Sequence, residues 1–294
     1  MPTPQAHKYA VNVLRSPIIF IGMHRSGTSM LADLLKQLGM FLGYGIQHNE
    51  SIFFNHLNLY IEDVCNCGWD NPESLVYLDG CSPIRSIVLD YLHKRLTGPD
   101  VTLYFRPLRL NRLFPKIMWK RRSFKELNSS WGWKDPRNTF TAGLWKELFP
   151  NAKYVHIYRN GVDVAASLRQ RETDLLKQRP IDAPYVSPRC CSLKAAFDLW
   201  ASYIEKAFGI TEEVGEANTL HVSYEELLKS PIQKMQDIIS FCDINTDHDS
   251  LDKVLNSLDP RRSYKFVGNI ELENLYLQVK NHPWMEKLGY NKIK

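Results

Sequence analysis

Four stretches of this chain carry residues whose types and spacing suit gripping an anion. The first is the turn Gly22-Met23-His24-Arg25-Ser26-Gly27-Thr28-Ser29, which follows the apolar run Pro17-Ile-Ile-Phe-Ile21. Backbone N–H groups of a Gly-bounded turn, with a helix N-terminus behind it, point at whatever anion lies in the loop. Lys134 follows a short apolar segment at Trp131. Arg159 and Ser167 stand eight residues apart across a predicted helix start, and Tyr224 follows the run Thr219–Val222. A charge-assisted Arg contact plus a hydroxyl holds a second anion. Two separated anions on one ligand follow, which a nucleotide with a 5′ group and a 3′-phosphate meets better than ATP.

The elements that must position these residues are read from hydrophobic spacing. Met30, Leu31, Leu34, Leu35 and Leu38 recur at helical intervals after the turn. Ala152–Tyr158 predicts a compact strand, followed by a helix over about Val162–Arg171. A helix near Thr139–Phe149 is expected with Asn138 as cap. Leu193, Phe197, Trp200, Ile204, Phe208, Thr211 and Val214 fall on one face of a long helix. Ser223 with Glu226 forms a capping box, and Ser230-Pro231 starts the next helix. Gly43–Asn71 predicts a loop plus helix, Pro72–Pro99 a helical hairpin. Glu172–Arg189, with Pro180, Pro184 and Pro188, predicts a surface loop.

Strands alternating with helices imply an α/β fold with a central parallel sheet covered on both faces. Ligands of such sheets bind beyond the carboxyl ends of the strands. Arg25, Lys134, Arg159 and Tyr224 each follow a predicted strand, so four strand ends face one crevice. No repeat or linker interrupts the pattern, and residues 1–294 are read as a single domain with inserted lids at 43–127 and 172–190.

The loop also excludes something. A nucleoside-triphosphatase loop reads G-x-x-x-x-G-K-[ST], with the Lys on the β- and γ-phosphates. Gly22 and Gly27 keep the spacing, but Thr28 stands where that Lys belongs and Arg25 is the strong cation. A P-loop small-molecule kinase using ATP and magnesium lacks its Lys and an acidic magnesium ligand here. A non-catalytic nucleotide-binding protein of the same fold is a further alternative, as is an ordinary strand-turn-helix.

Composition bounds the rest. The chain has 294 residues, 44% hydrophobic and 23% charged, the profile of a soluble globular protein. No stretch approaches the roughly 18 apolar residues of a membrane span, and Met1–Arg15 lacks an apolar leader core, so a cytoplasmic location is expected. Six cysteines lack a regular framework and are read as reduced. His48 and His56 near Cys65 and Cys67 give the one place to look for zinc, and no metal is predicted. The net charge is +5, and Val101–Lys125 holds eight Lys or Arg with no Asp or Glu. This amphipathic basic arm suits a lid over an anionic substrate, peripheral contact with an anionic membrane, or a merely solvated face. Nucleic acid is not expected, since neither a stacking platform nor a recognition helix is seen.

Taken in order, Ile-Gly-Met-His-Arg-Ser-Gly-Thr-Ser (21–29), Trp-Gly-Trp-Lys-Asp-Pro-Arg (131–137) and His-Ile-Tyr-Arg-Asn-Gly-Val-Asp-Val-Ala-Ala-Ser-Leu (156–168) resemble motifs of the sulfotransferases. With Val-Ser-Tyr-Glu-Glu-Leu-Leu (222–228), the resemblance spans about residues 17 to 230. It implies a three-layer fold like that of P-loop nucleoside triphosphatases. It further implies 3′-phosphoadenosine 5′-phosphosulfate as donor, with sulfonate passing to an acceptor hydroxyl or amine without metal. Carried over, Arg25, Ser26, Gly27, Thr28 and Ser29 meet the 5′-phosphosulfate, Arg159 and Ser167 the 3′-phosphate, and Tyr224 the adenine. Arg261 and Arg262 are candidates for a further basic loop on the 3′-phosphate, although the pattern around them departs from the family's. Lys134 is placed at the bridging oxygen.

The base is less fixed. The cytosolic small-molecule branch has a His two residues after the Lys, where this chain has Pro136. The protein-tyrosine branch also has Lys-Asp-Pro and uses a Glu beyond the first helix. Glu50 falls in the equivalent region and is the first candidate, with His48 second; either equally fits a helix cap or a surface group. Asp135 is expected to orient Lys134 or Arg137, and His24 to pack the loop. The acceptor is expected to be a hydroxyl of a carbohydrate or small metabolite, the basic arm suiting an anionic one, with aromatic residues such as Phe53, Tyr60 and Trp69 suiting either a sugar face or the core.

Overall fold

The structure is a computed structural model, and it describes residues 8–45, 49–105, 122–178 and 186–293. Four short strands form its sheet: β1 (Ile18–Ile21), β2 (Gly132–Lys134), β3 (Lys153–Tyr158) and β4 (Thr219–Ser223). They are all parallel, in the order β2-β1-β3-β4. Ile18 stands level with Gly132 on one side and Lys153 on the other. The period-two alternation then divides the side chains between two faces. Ile18, Phe20, Val155, Ile157 and Val222 enter one apolar cluster, and Ile19, Ile21, Trp133 and Tyr154 another. Burial on both faces is why these strands read as continuous apolar runs.

Helices fill the layers. In chain order they are α1 (Thr28–Gln37), α2 (Ile52–Val64), α3 (Val76–Gly80), α4 (Ser82–Thr97), α5 (Thr102–Phe105), α6 (Asn138–Leu148), α7 (Gly161–Gln178), α8 (Leu193–Val214), α9 (Tyr224–Lys229), α10 (Pro231–Cys242), α11 (His248–Asn256), α12 (Ile270–Val279) and α13 (Pro283–Lys287). Leu31, Leu34 and Leu35 of α1 pack with Met235 and Ile238 of α10 on one face of the sheet. On the other, Leu144 and Leu148 of α6 join Phe53, Phe54 and Leu57 of α2. The longest helix, α8, is capped by the Ser192 hydroxyl, which accepts from Ala195 N–H, and ends at Gly215 with φ 88°. Its buried face of Phe197, Trp200 and Ile204 holds it against α7, while Ile210 enters the cluster of α2 and α6. Each such side chain contributes about 1.5–3 kcal/mol through burial. Among the described residues no helix is long and apolar enough to cross a membrane.

Because β1 is followed by α1 on one face and β3 by α7 on the other, the chain parts between β1 and β3. That is where an open parallel sheet makes its binding crevice. The outer edge at β2 is covered too: Phe41 pairs with Trp131 and Glu50 with Lys134 through isolated bridges.

Two sequence expectations need correction. The helix expected to stop near Arg171 continues to Gln178, so residues 172–178 of the second insert are helical and not surface loop. The reason is Glu172: only 1% exposed, it accepts from Arg171 and from the Ser187 N–H. Asn138 does not cap α6 but is its first residue; its amide donates to the Phe20 carbonyl, and its oxygen accepts from Trp133. Of the capping box at Ser223, the bond from Glu226 N–H is present. Residues 106–121 of the basic arm lie outside the described residues.

Candidate active site

The turn between β1 and α1 is shaped by close approach. Gly22 has φ 124°, and a Cβ there would lie 2.5 Å from the Ile157 carbonyl oxygen. Its N–H donates to the Thr139 hydroxyl at 2.9 Å, which ties the turn to α6. Arg25 sits at φ 70°, and Gly27 at φ 99° presses against the Tyr224 ring, 2.6 Å from where a Cβ would stand. The Ser26 N–H turns back to the Met23 carbonyl, and its hydroxyl is buried without a partner. Helix α1 then opens with no acidic residue in its first turn. Its leading N–H groups have no acceptor within the helix, and its dipole favours an anion.

Three guanidinium groups converge on this turn. Arg25 donates through Nε to the Ser167 hydroxyl at 2.9 Å. Burial, with Arg171 and Arg159 nearby, holds Arg25 below the usual guanidinium range. Arg159 donates through NH2 to the Asp163 carboxylate and to the Arg262 carbonyl, both at 2.8 Å, and lies 4.8 Å from the centre of the Tyr224 ring. Its Nε is buried and has no partner. Ser167 and Arg159 line the same cleft, with the Ser167 hydroxyl bonded to Arg25. Of the two candidates in the C-terminal region, Arg262 lines the cleft, whereas the Arg261 side chain is 89% exposed and paired with Asp259.

Lys134, the last residue of β2, is 2% exposed and places Nζ 2.8 Å from Glu50 Oε1. The other Glu50 oxygen accepts from the Asn55 amide at 3.2 Å. A buried ammonium needs such a partner, because an unpaired one carries an uncompensated desolvation cost. His48, the second candidate base, lies outside the described residues. His24 packs edge-on to Trp69 with centroids 4.6 Å apart, and burial keeps its imidazole well below its usual pKa.

Asp135 turns toward Arg137. The two form a bidentate pair at 2.9 and 2.8 Å, and Asp135 also accepts from the Arg137 N–H and the Asn58 amide. Arg137 reaches Glu62 of α2 at 3.2 Å. Asn58 bonds Asn138 and Thr141 as well, so α2 and α6 are locked together directly behind Lys134. Burial, opposed by Arg137, pushes Glu62 up to about 7 from 4.5. The folded state then keeps a proton that the unfolded chain has released, so stability falls as pH rises from 4.5 to about 7. Glu62→Gln is expected to gain Tm relative to the parent across that window and to match it at lower pH, as followed by thermal unfolding.

These groups line one cleft of about 650 Å³, which holds Arg25, Gly27, Thr28, Ser29, Glu50, Lys134, Arg159, Ser167, Tyr224 and Arg262. An adjoining groove of about 710 Å³ shares Arg25, Arg159, Ser167, Tyr224 and Arg262 with it. Both fall in the size range of ligand sites. Two charged lining residues escaped the sequence reading of the site, Arg171 and Glu172; Trp69, named there for a sugar face or the core, forms a wall of the cleft with Arg171 at 4.9 Å. Arg171 was within reach, since it follows Ser167 by one helical turn on the same face. Among the described residues no group of three His, Cys, Asp or Glu is placed to hold a metal.

A parallel sheet with a Lys-less glycine turn after its first strand and cations at three of its strand ends defines a P-loop-like α/β fold with a cationic cleft. More particularly, the chain belongs to the sulfotransferase family, which matches residues 17–248. It is 29% identical over 177 residues to protein-tyrosine sulfotransferase A of Caenorhabditis elegans, across 54% of this chain and 44% of that protein. The chain thus spans less than half the length of that relative. The sulfotransferase domain of the Synechococcus PCC 7002 olefin synthase shares the fold, with a TM-score of 0.50 and 17% identity over 87% of this chain and 88% of that domain.

Proposed function

We propose that this chain transfers the sulfonate of 3′-phosphoadenosine 5′-phosphosulfate to an acceptor hydroxyl by in-line displacement with a general base. The observation that carries the reading is the Lys134–Glu50 pair, set in the same cleft as the anion-binding turn. The residues fit the donor. The cradle at Gly27 has no room for a Cβ, and Arg159 Nε is a buried donor with no partner.

When bound, the donor supplies an activated sulfonate. The turn, Arg25 and the first N–H groups of α1 hold its 5′ end, and Arg159, Ser167 and Arg262 hold the 3′-phosphate. Its arrival gives Lys134 a new anionic partner, the oxygen bridging sulfur and phosphate, and this frees the Glu50 carboxylate. Glu50 then takes the acceptor's hydroxyl proton as the acceptor oxygen bonds to sulfur and the bridging bond breaks. Such transfers run through loose transition states, in which positioning and charge stabilisation dominate. Sulfonate carries less charge than a terminal phosphate, so the cations of the cleft serve without magnesium.

The acceptor is read as a carbohydrate or small-metabolite hydroxyl. The protein-tyrosine sulfotransferase relative favours a second reading, a tyrosine phenol. Arg171 on the Trp69 wall adds positive charge that suits an anionic acceptor in either case. A radiolabelled-donor screen over glycans, lipids, phenols and tyrosine peptides separates the two.

Thermal unfolding tests the donor directly. The desulfonated nucleotide, 3′-phosphoadenosine 5′-phosphate, at 100 times its Kd without metal, is expected to add about 2.7 kcal/mol of stability. At about 2–4 °C per kcal/mol, the Tm rises by several degrees. Stabilisation by ATP with magnesium and none by this nucleotide overturns the reading.

A further inference from the structure

The carboxylate of Asp163 does more than pair with Arg159. Asp163 lies in the first turn of α7, and its side chain is 1% exposed. Oδ2 accepts from Arg159 NH2 at 2.8 Å and from the Lys265 N–H at 3.2 Å, and Oδ1 accepts from the Phe266 N–H at 3.0 Å. The same Arg159 NH2 donates to the Arg262 carbonyl at 2.8 Å. A single carboxylate therefore joins the end of β3 to a chain segment about a hundred residues further on. Phe266 is itself buried, its ring 5.1 Å from that of Tyr276.

We propose that Asp163 is a positioning residue that latches segment 259–266 onto Arg159, and so delivers Arg262 to the 3′-phosphate end of the donor. The inference rests on the donor reading given above. A carboxylate repels a phosphate, so Asp163 does not bind the ligand itself; it acts through Arg159 and the segment. By engaging NH2 it fixes the guanidinium and leaves the buried Nε free as a donor. Charge-assisted bonds to two backbone N–H groups hold the segment in register. With the latch open, Arg159 loses its orientation and Arg262 its place, and both losses fall on the 3′ end of the nucleotide.

The test compares 3′-phosphoadenosine 5′-phosphate with adenosine 5′-monophosphate, which lacks the 3′-phosphate, by calorimetric titration of the full chain. Asp163→Asn is expected to weaken the first nucleotide by about 10- to 100-fold. The second should change by no more than about twofold, as for a site remote from the loss. Adding Arg262→Ala to Asp163→Asn should cost far less than Arg262→Ala does in the parent, because both remove the same contact. Equal weakening of both nucleotides, or none, overturns the latch. Should Asp163→Asn fold poorly, amide exchange on the unmodified protein decides. Lys265 and Phe266 must gain protection with the 3′-phosphorylated nucleotide and not with the monophosphate, and equal protection by both sinks the proposal. A parent protein that does not prefer the 3′-phosphorylated nucleotide overturns the donor reading itself, whatever the exchange shows.

Discussion

Glu50→Gln is expected to lower kcat by about 10²- to 10⁴-fold, the usual contribution of a positioned base. The Gln keeps a hydrogen-bond acceptor beside Lys134 but removes the counter-charge of a buried ammonium, so the Tm of the unliganded chain should fall while donor binding, which offers Lys134 a new anion, is kept. Lys134→Ala should cost about 10²- to 10³-fold, as for loss of one donor to developing negative charge. The double variant should fall far short of the product of the two, because the residues work as a unit 2.8 Å apart. Transfer of labelled sulfonate to an acceptor found in the screen gives the readout. His48→Ala belongs in the same series: if it abolishes turnover while Glu50→Gln does not, the base has been misassigned.

The second large effect is on stability. Arg137→Met leaves Asp135 and Glu62, at 1% and 5% exposure, as buried carboxylates without their shared cation. Breaking a buried ionic cluster by removing one partner costs about 3–5 kcal/mol. Denaturant unfolding at neutral pH should show that loss. The sign with pH can be worked out. Without Arg137, which opposes the effect of burial, the Glu62 carboxyl becomes easier to protonate in the folded state, so the variant should recover stability relative to the parent as pH falls. A deficit that is constant from neutral to acidic pH would argue that lost packing, and not stranded charge, is the cause.

How much was legible in the chain follows from the range of the contacts. The turn at 22–29, the strand ends at Lys134, Arg159 and Tyr224, and the long face of α8 are all set by local spacing; the structure has the turn and the strand ends in one crevice and the α8 face in the core. Partnerships were not readable in the same way. The Ser167 hydroxyl accepts from Arg25, 142 positions away. The Arg137–Glu62 contact spans 75 positions, and no helical or strand period registers such a pair. The prolines after residue 179 signalled a break, yet α7 runs on to Gln178 with an exposed last turn, anchored before it by the buried Glu172, which accepts from Arg171 and Ser187. Arg171 shows the opposite case, a signal present in the i, i+4 spacing and not used.

The bridge between residue 50 and residue 134 has an outcome for how such a chain can diversify. Because the two backbones pair directly at the sheet edge, the Glu50 carboxylate and the Lys134 ammonium keep their spacing through main-chain geometry. The described residues between α2 and β2 are not detachable from that edge, because Leu92, Tyr104 and Phe124 sit in the main core. Exchange of exposed positions there, such as Tyr77 and Ile87, would be expected to leave the spacing of residues 50 and 134 undisturbed.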